Sequence, residues 1–362
     1  MNSISPQSAD PFKSVRYWLY ALAVLTAVMI LVGGATRLTD SGLSITEWAP
    51  ISGILPPLNL ADWQREFALY QTTEEFKVQN SQMTLEEFKT IYWWEWGHRF
   101  LGRLIGLFVL LPMIYFWLRK RLTPKLKLAC IGLFLLVSFQ GFLGWWMVKS
   151  GLVDRVDVSQ IRLAIHLTTA FLFLIAIIWV SRSLAYHSAV PIYGASWQAC
   201  GLILLLLVQI FIGGLLAGLD AGMAYNTWPK MNGEWAPEGL WAISPGWLNL
   251  TDNAMTVQFF HRIFAYAIWL VVLLHAVVIS IGYSGTHHAK RAWLLFLLVT
   301  VQACIGVVTL VMQVPFYWAL IHQFGAVVVI VFATAHWRGL NPSHHGATSS
   351  ASTNLNHDYG RA

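Results

Sequence analysis

Four histidines, His98, His166, His261 and His322, stand near the starts of long apolar segments, two in each half of a 362-residue chain. Histidine is costly inside a membrane unless paired or ligated. Four at one depth therefore imply two metal or haem sites. Bis-imidazole haem is the natural ligation for such a pair, because two facing helices can supply opposite axial ligands and a bundle a dry slot. Zinc would want three or four protein ligands in a compact tetrahedron, and each pair offers two histidines, no cysteine and few nearby acids. The plainer alternative, interfacial histidines bonded to neighbouring loops, suits one histidine better than four that recur at matched positions. His275 has no counterpart in the first half and is expected to pack or hydrogen-bond.

The residues around these histidines carry further chemistry. Arg99 and Arg262 directly follow His98 and His261, Arg103 lies one helical turn beyond Arg99, and Arg162 one turn before His166. Such arginines either snorkel toward headgroups or pair with haem propionates, whose carboxylates match a guanidinium bidentately. Snorkelling suits the deeper Arg103 less well. Glu95 lies three residues before His98, and the matching position of the second half is Gln258. A carboxylate beside one site and an amide beside the other points to chemistry at the first and electron transfer at the second. The alternative is an acid placed near a helix N-terminus, where the dipole favours it. Gln140 and Gln302 are matched polar residues inside apolar segments and are expected to hydrogen-bond internally.

The elements that position these residues follow from hydropathy. The chain is 57% hydrophobic and 11% charged, where a soluble domain carries roughly 25% charge. Apolar runs of spanning length fall at 17–36, 97–117, 127–147, 160–180, 199–218, 258–281, 291–311 and 317–336. The chain is thus an all-α polytopic membrane protein of eight transmembrane helices. The loops after the second, fourth and sixth runs carry Arg119, Lys120, Arg121, Lys125, Lys127, Arg182, Lys290 and Arg291 and no acid, whereas 37–96 holds four basic and nine acidic residues. By the positive-inside rule both termini are cytoplasmic, the four histidines face the periplasmic side of a bacterial inner membrane, and the +6 net charge serves orientation rather than nucleic acid.

The halves repeat in order. 'ILVGGATRLTDSGLSITEWAP' (30–50) parallels 'IFIGGLLAGLDAGMAYNTWPK' (210–230), 'EWGHRFLGRLIG' (95–106) parallels 'QFFHRIFAYAIW' (258–269), 'FQGFLGWW' (139–146) parallels 'VQACIGVV' (301–308), and 'LAIHLTTAF' (163–171) parallels 'ALIHQFGAV' (319–327). The expected architecture is two pseudo-symmetric four-helix bundles, 1–182 and 183–340, with a disordered cytoplasmic tail over 341–362. Asp40 and Asp220 are expected to mark matching turns, and the Gly33–Gly34 and Gly213–Gly214 pairs close approach.

With 'GGATRLTDSGLSITEW', 'EWGHRFLGRLIG', 'QGFLGWWMV', 'HLTTA', 'NTWPKMNG', 'FFHR' and 'IHQFGA' in this order over 17–340, the chain closely resembles the haem A synthase family. With no cysteine between Thr36 and Gly97, it is similar to the subgroup without an outer-loop cysteine pair. The resemblance implies a haem b cofactor held by His261 and His322, with Arg262 beside it, and a substrate-haem site at His98 and His166 with Arg99, Arg103 and Arg162. It makes Glu95 the acidic residue of the reaction, which oxidises the C8 methyl of haem O to a formyl group by successive hydroxylations, water being the implied oxygen source. It implies a membrane electron acceptor such as a quinone, with haem O synthase and cytochrome oxidase assembly factors as candidate partners, and leaves a homo-oligomer open. Two other functions fit the residues: a dihaem b-type cytochrome passing electrons from quinol, and a non-enzymatic haem carrier or assembly chaperone.

Overall fold

The computed structural model describes residues 10–49, 51–152, 155–185 and 192–341. Eight helices are long and apolar enough to cross a membrane. They are α1 (Lys13–Leu38), α4 (Leu85–Leu118), α5 (Pro124–Gly151), α6 (Gln160–Ser183), α7 (Tyr193–Gly218), α9 (Ala254–Gly282), α10 (His287–Val311) and α11 (Phe316–Gly339). The chain is a multi-pass, all-α membrane protein. Short helices α2 (Leu60–Tyr70), α3 (Glu74–Val78) and α8 (Asn249–Asp252) lie in the two long loops. The expected tail falls almost wholly outside the described residues.

Local chemistry sets the helix starts. Thr84 and Glu87 form a reciprocal capping box at α4, Thr123 caps α5 ahead of Pro124, and Asn253 caps α9. The capping box places the start of α4 well before the apolar run at 97, so the 'YWWEW' segment is helical. His98 therefore sits thirteen residues into its helix, whereas His166, His261 and His322 sit six or seven residues in. Hydropathy missed this because Glu86, Glu87 and Lys89 interrupt the apolar run without interrupting the helix.

Packing follows a closed sequence of neighbours in each half. In the first, α1 packs on α4, α4 on α5, α5 on α6 and α6 on α1; in the second, α7 packs on α9, α9 on α10, α10 on α11 and α11 on α7. Helix α6 meets α7 and α11, and α1 meets α11, across the halves. Leu19, Leu22, Val109, Phe171, Leu174, Leu202, Val272, Leu295 and Ile330 are buried in the core that joins them. Arg37 at the end of α1 pairs with Asp40 at 2.6 Å and with Asp220 of the other half at 2.8 Å. Both aspartates hold left-handed backbone, φ 46° and 48°, as expected of matched turns.

Candidate haem sites

The four histidines come from helices that lie diagonally in their half. Helices α4 and α6 carry His98 and His166, and α9 and α11 carry His261 and His322. His166 lies near His98, and His261 near His322. Each imidazole lies over a glycine of an adjacent helix. A Cβ on Gly33 would stand 3.0 Å from His98, on Gly144 3.3 Å from His166, on Gly213 3.3 Å from His261 and on Gly306 2.8 Å from His322. Any larger residue would push the ring away. Two imidazoles from diagonal helices of one bundle, each against a glycine, are donors that could hold a flat macrocycle by its metal. Among the described residues no group of three or more His, Cys, Asp or Glu could hold a bare metal ion.

Glutamines fix three of the rings. Gln140 Nε2 donates to the His166 carbonyl at 2.9 Å, Gln209 to that of His261 at 3.0 Å, and Gln302 to that of His322 at 2.8 Å. Gln140 and Gln302 are the internal hydrogen bonders the repeat predicted. Gln209 was missed, although it stands four residues before Gly213 as Gln140 does before Gly144. Gly306 was missed too, for want of a glycine pair around it. His275 bonds to His336 at 3.0 Å and to Gln198 at 3.2 Å, a hydrogen-bonding residue as expected.

Glu95 is 3% exposed. Its Oε2 accepts from the Ser44 hydroxyl and the Ile45 N–H, both at 2.8 Å, and its Oε1 pairs with Arg99 at 2.5 Å. Gln258 stands in the matching place with reversed polarity, donating to the carbonyls of Ala221 and Tyr225 at 3.0 and 3.1 Å. A buried carboxylate thus stands in one half where a buried amide stands in the other. Ser44 carried no sequence signal, because only the folded loop brings it to α4.

The arginines donate to main-chain carbonyls. Arg99 donates to Ile45 and Glu47, Arg103 to Ala49, Arg262 to Tyr225 and Thr227, and Arg162 to Trp146. In both halves the arginine after the histidine ties down the loop that follows the first helix. The Nε atoms of Arg99 and Arg262 have no partner among the described residues. Arg162 lies over Trp146 and lines, with Lys149 and Arg155, a cationic recess of about 540 Å³ one turn from His166.

Residues 16–334 match the family model described as Cytochrome oxidase assembly protein, COX15-CtaA. Heme A synthase of Chelativorans sp. is 52% identical over 340 residues, covering 92% of this chain and 94% of that protein. Heme A synthase of Mesorhizobium japonicum is 51% identical over 326 residues, and that of Sinorhizobium fredii 49% over 329, each covering 90% of both chains. Identity near one half along nearly the whole of both chains accompanies the paired histidines and the repeated loop ties, and this chain belongs to the COX15-CtaA, or heme A synthase, family.

Proposed function

We propose that the protein oxidises the C8 methyl of haem O to the formyl group of haem A. The observation that carries the reading is the doubled histidine pair, each ring seated on a glycine, in a chain about half identical to heme A synthases end to end. The chain divides into two pseudo-symmetric four-helix bundles, 1–182 and 183–340, in keeping with the two closed neighbour sequences. His98 and His166 would hold the substrate haem, and His261 and His322 would hold a resident haem b, which would supply an electron path when bound. Both termini are cytoplasmic and the histidines face the periplasm of an inner membrane, as the loop charges direct. Haem O comes from haem O synthase, and the product goes to cytochrome oxidase assembly.

Converting a methyl to a formyl group with oxygen from water releases four electrons and four protons. The reaction proceeds by successive hydroxylation, and the geminal diol loses water. The electrons pass to a membrane acceptor of quinone type. Glu95 is the only acid within a turn of His98 and accepts a proton or orients the water. It accepts from Ser44 and Ile45 and pairs with Arg99, so the loop after α1 orients the carboxylate that α4 carries. The free Nε–H of Arg99 and the Arg162 recess are the donors for propionates of the first haem, and the Arg262 Nε–H serves the second.

Expression in membranes with and without a haem O source, followed by mass identification of extracted haems, tests the activity. Haem A is expected only with the source. Two haems recovered unmodified, with quinol-dependent reduction, would make the protein a b-type cytochrome instead.

A further inference from the structure

Among the described residues, three of the four histidines share a clamp that the fourth lacks. Gln140, Gln209 and Gln302 each stand four residues before the glycine under a ring, and each donates to the carbonyl of that histidine. The carbonyl can take this second donor because the residue four further along is small: Ala170, Ala265 and Ala326. A longer side chain there would lean back over it. The same amides approach the ring nitrogens to 3.4 Å at His166 and 3.2 Å at His261 and His322. Backbone and ring are held together.

His98 has the glycine, Gly33, and the small residue, Gly102. Four residues before Gly33 stands Met29, whose thioether has no proton to donate. The Met29 methyl lies against α4, 3.4 Å from where a Gly102 Cβ would be, so it fills the place the amide takes elsewhere. Among the described residues no side chain hydrogen-bonds to the ring or the carbonyl of His98.

We propose that Met29 makes His98 the releasable ligand of the substrate haem: the His98–iron bond would form last as haem O enters and break first as the product leaves, while the clamped His166 stays in place. This rests on placing the substrate haem between His98 and His166. A buried amide–carbonyl bond resists movement, because breaking it strands polar groups in apolar surroundings, whereas a methionine repacks readily. The second pair carries two clamps, as a group that never leaves needs. The first carries one. Met29 acts through His98 and is a positioning residue.

The full-length protein in lipid nanodiscs, loaded with haem O, provides the test. Met29→Gln completes the fourth clamp; it is expected to slow haem transfer to an excess of apo-globin roughly fivefold, the factor of one interhelical hydrogen bond in a membrane, and to raise the low-spin bis-imidazole absorption. Met29→Leu, which also lacks a donor, should behave as wild type. Gln140→Met should speed release. Wild-type release and spectrum in Met29→Gln, with the haem O share of the low-spin signal lost in His98→Ala, would overturn the proposal alone. An unchanged signal in His98→Ala would overturn the placement of the substrate haem and the proposal with it.

Discussion

Glu95 shows how one side chain can serve structure and chemistry together. Its carboxylate ties the Ser44–Ile45 turn to α4 while standing one turn from His98. Glu95→Gln keeps an acceptor for Ser44 and Ile45 but sets an amide N–H against Arg99. The fold should survive with a loss on the order of 1–3 kcal/mol in thermal unfolding, the cost of a compromised buried bond. Haem O should remain bound, and haem A yield should fall about a hundredfold or more, the usual contribution of a positioned acid or base. Wild-type yield of haem A from a folded variant would remove Glu95 from the chemistry. Residue identities here were legible before the fold, because Glu95 against Gln258 is visible in the repeat. Their partners were not, since Ser44 reaches Glu95 only through tertiary folding.

Between the spans, α2, α3 and the start of α4 make a small aromatic unit in which Tyr70 stacks on Phe88 at 5.2 Å. Glu75 is buried against it, and burial, followed by the charge of Glu95, raises its carboxyl to about 8. A folded-state value above the unfolded one means that ionisation opposes folding. The unit is most stable below the ordinary carboxylate range and weakens as pH rises toward 8. Hydrogen exchange over 60–84 should therefore quicken from pH 5 to pH 8.5 in the wild type and vary much less in Glu75→Gln once intrinsic exchange is corrected. Among the membrane helices, a Cβ on Gly214 would stand 2.7 Å from the Ala164 Cα. Gly214→Val should push α6 from α7 and lower stability by about 1–3 kcal/mol, as overpacking does. Gly132→Ala, which meets nothing within 4 Å, should be neutral or slightly stabilising in the same melt. Hydropathy gave these helices to within a few residues, but α4 begins twelve residues before its apolar run, where a capping box prevails over hydropathy.

Across the whole molecule the two halves are joined by packing and by a few polar ties. Gln323 donates to the Ile30 carbonyl at 2.6 Å, Gln160 to Asp252 at 2.8 Å, and Arg37 grips Asp40 and Asp220. Arg37→Met should cost no more than about 1 kcal/mol of global stability, since both aspartates are largely exposed. It should instead speed hydrogen exchange at 39–45 and 219–225 together. Acceleration in one segment only would mean that the turns are not coupled through this arginine.

The sequence by itself determined the eight spans, the parallel segments of its two halves, the four histidines and the uneven Glu95–Gln258 pair. Hydropathy period, charge bias and residue identity are all written along the chain. Tertiary structure alone decided that α4 and α6, and α9 and α11, lie diagonally, that each ring rests on a glycine, and that the arginines hold loop carbonyls. It also revealed that three histidines are clamped and that, among the described residues, His98 has no such clamp. These are contacts between helices remote in sequence, and a side chain's partner there depends on helix rotation and crossing, which no local pattern encodes.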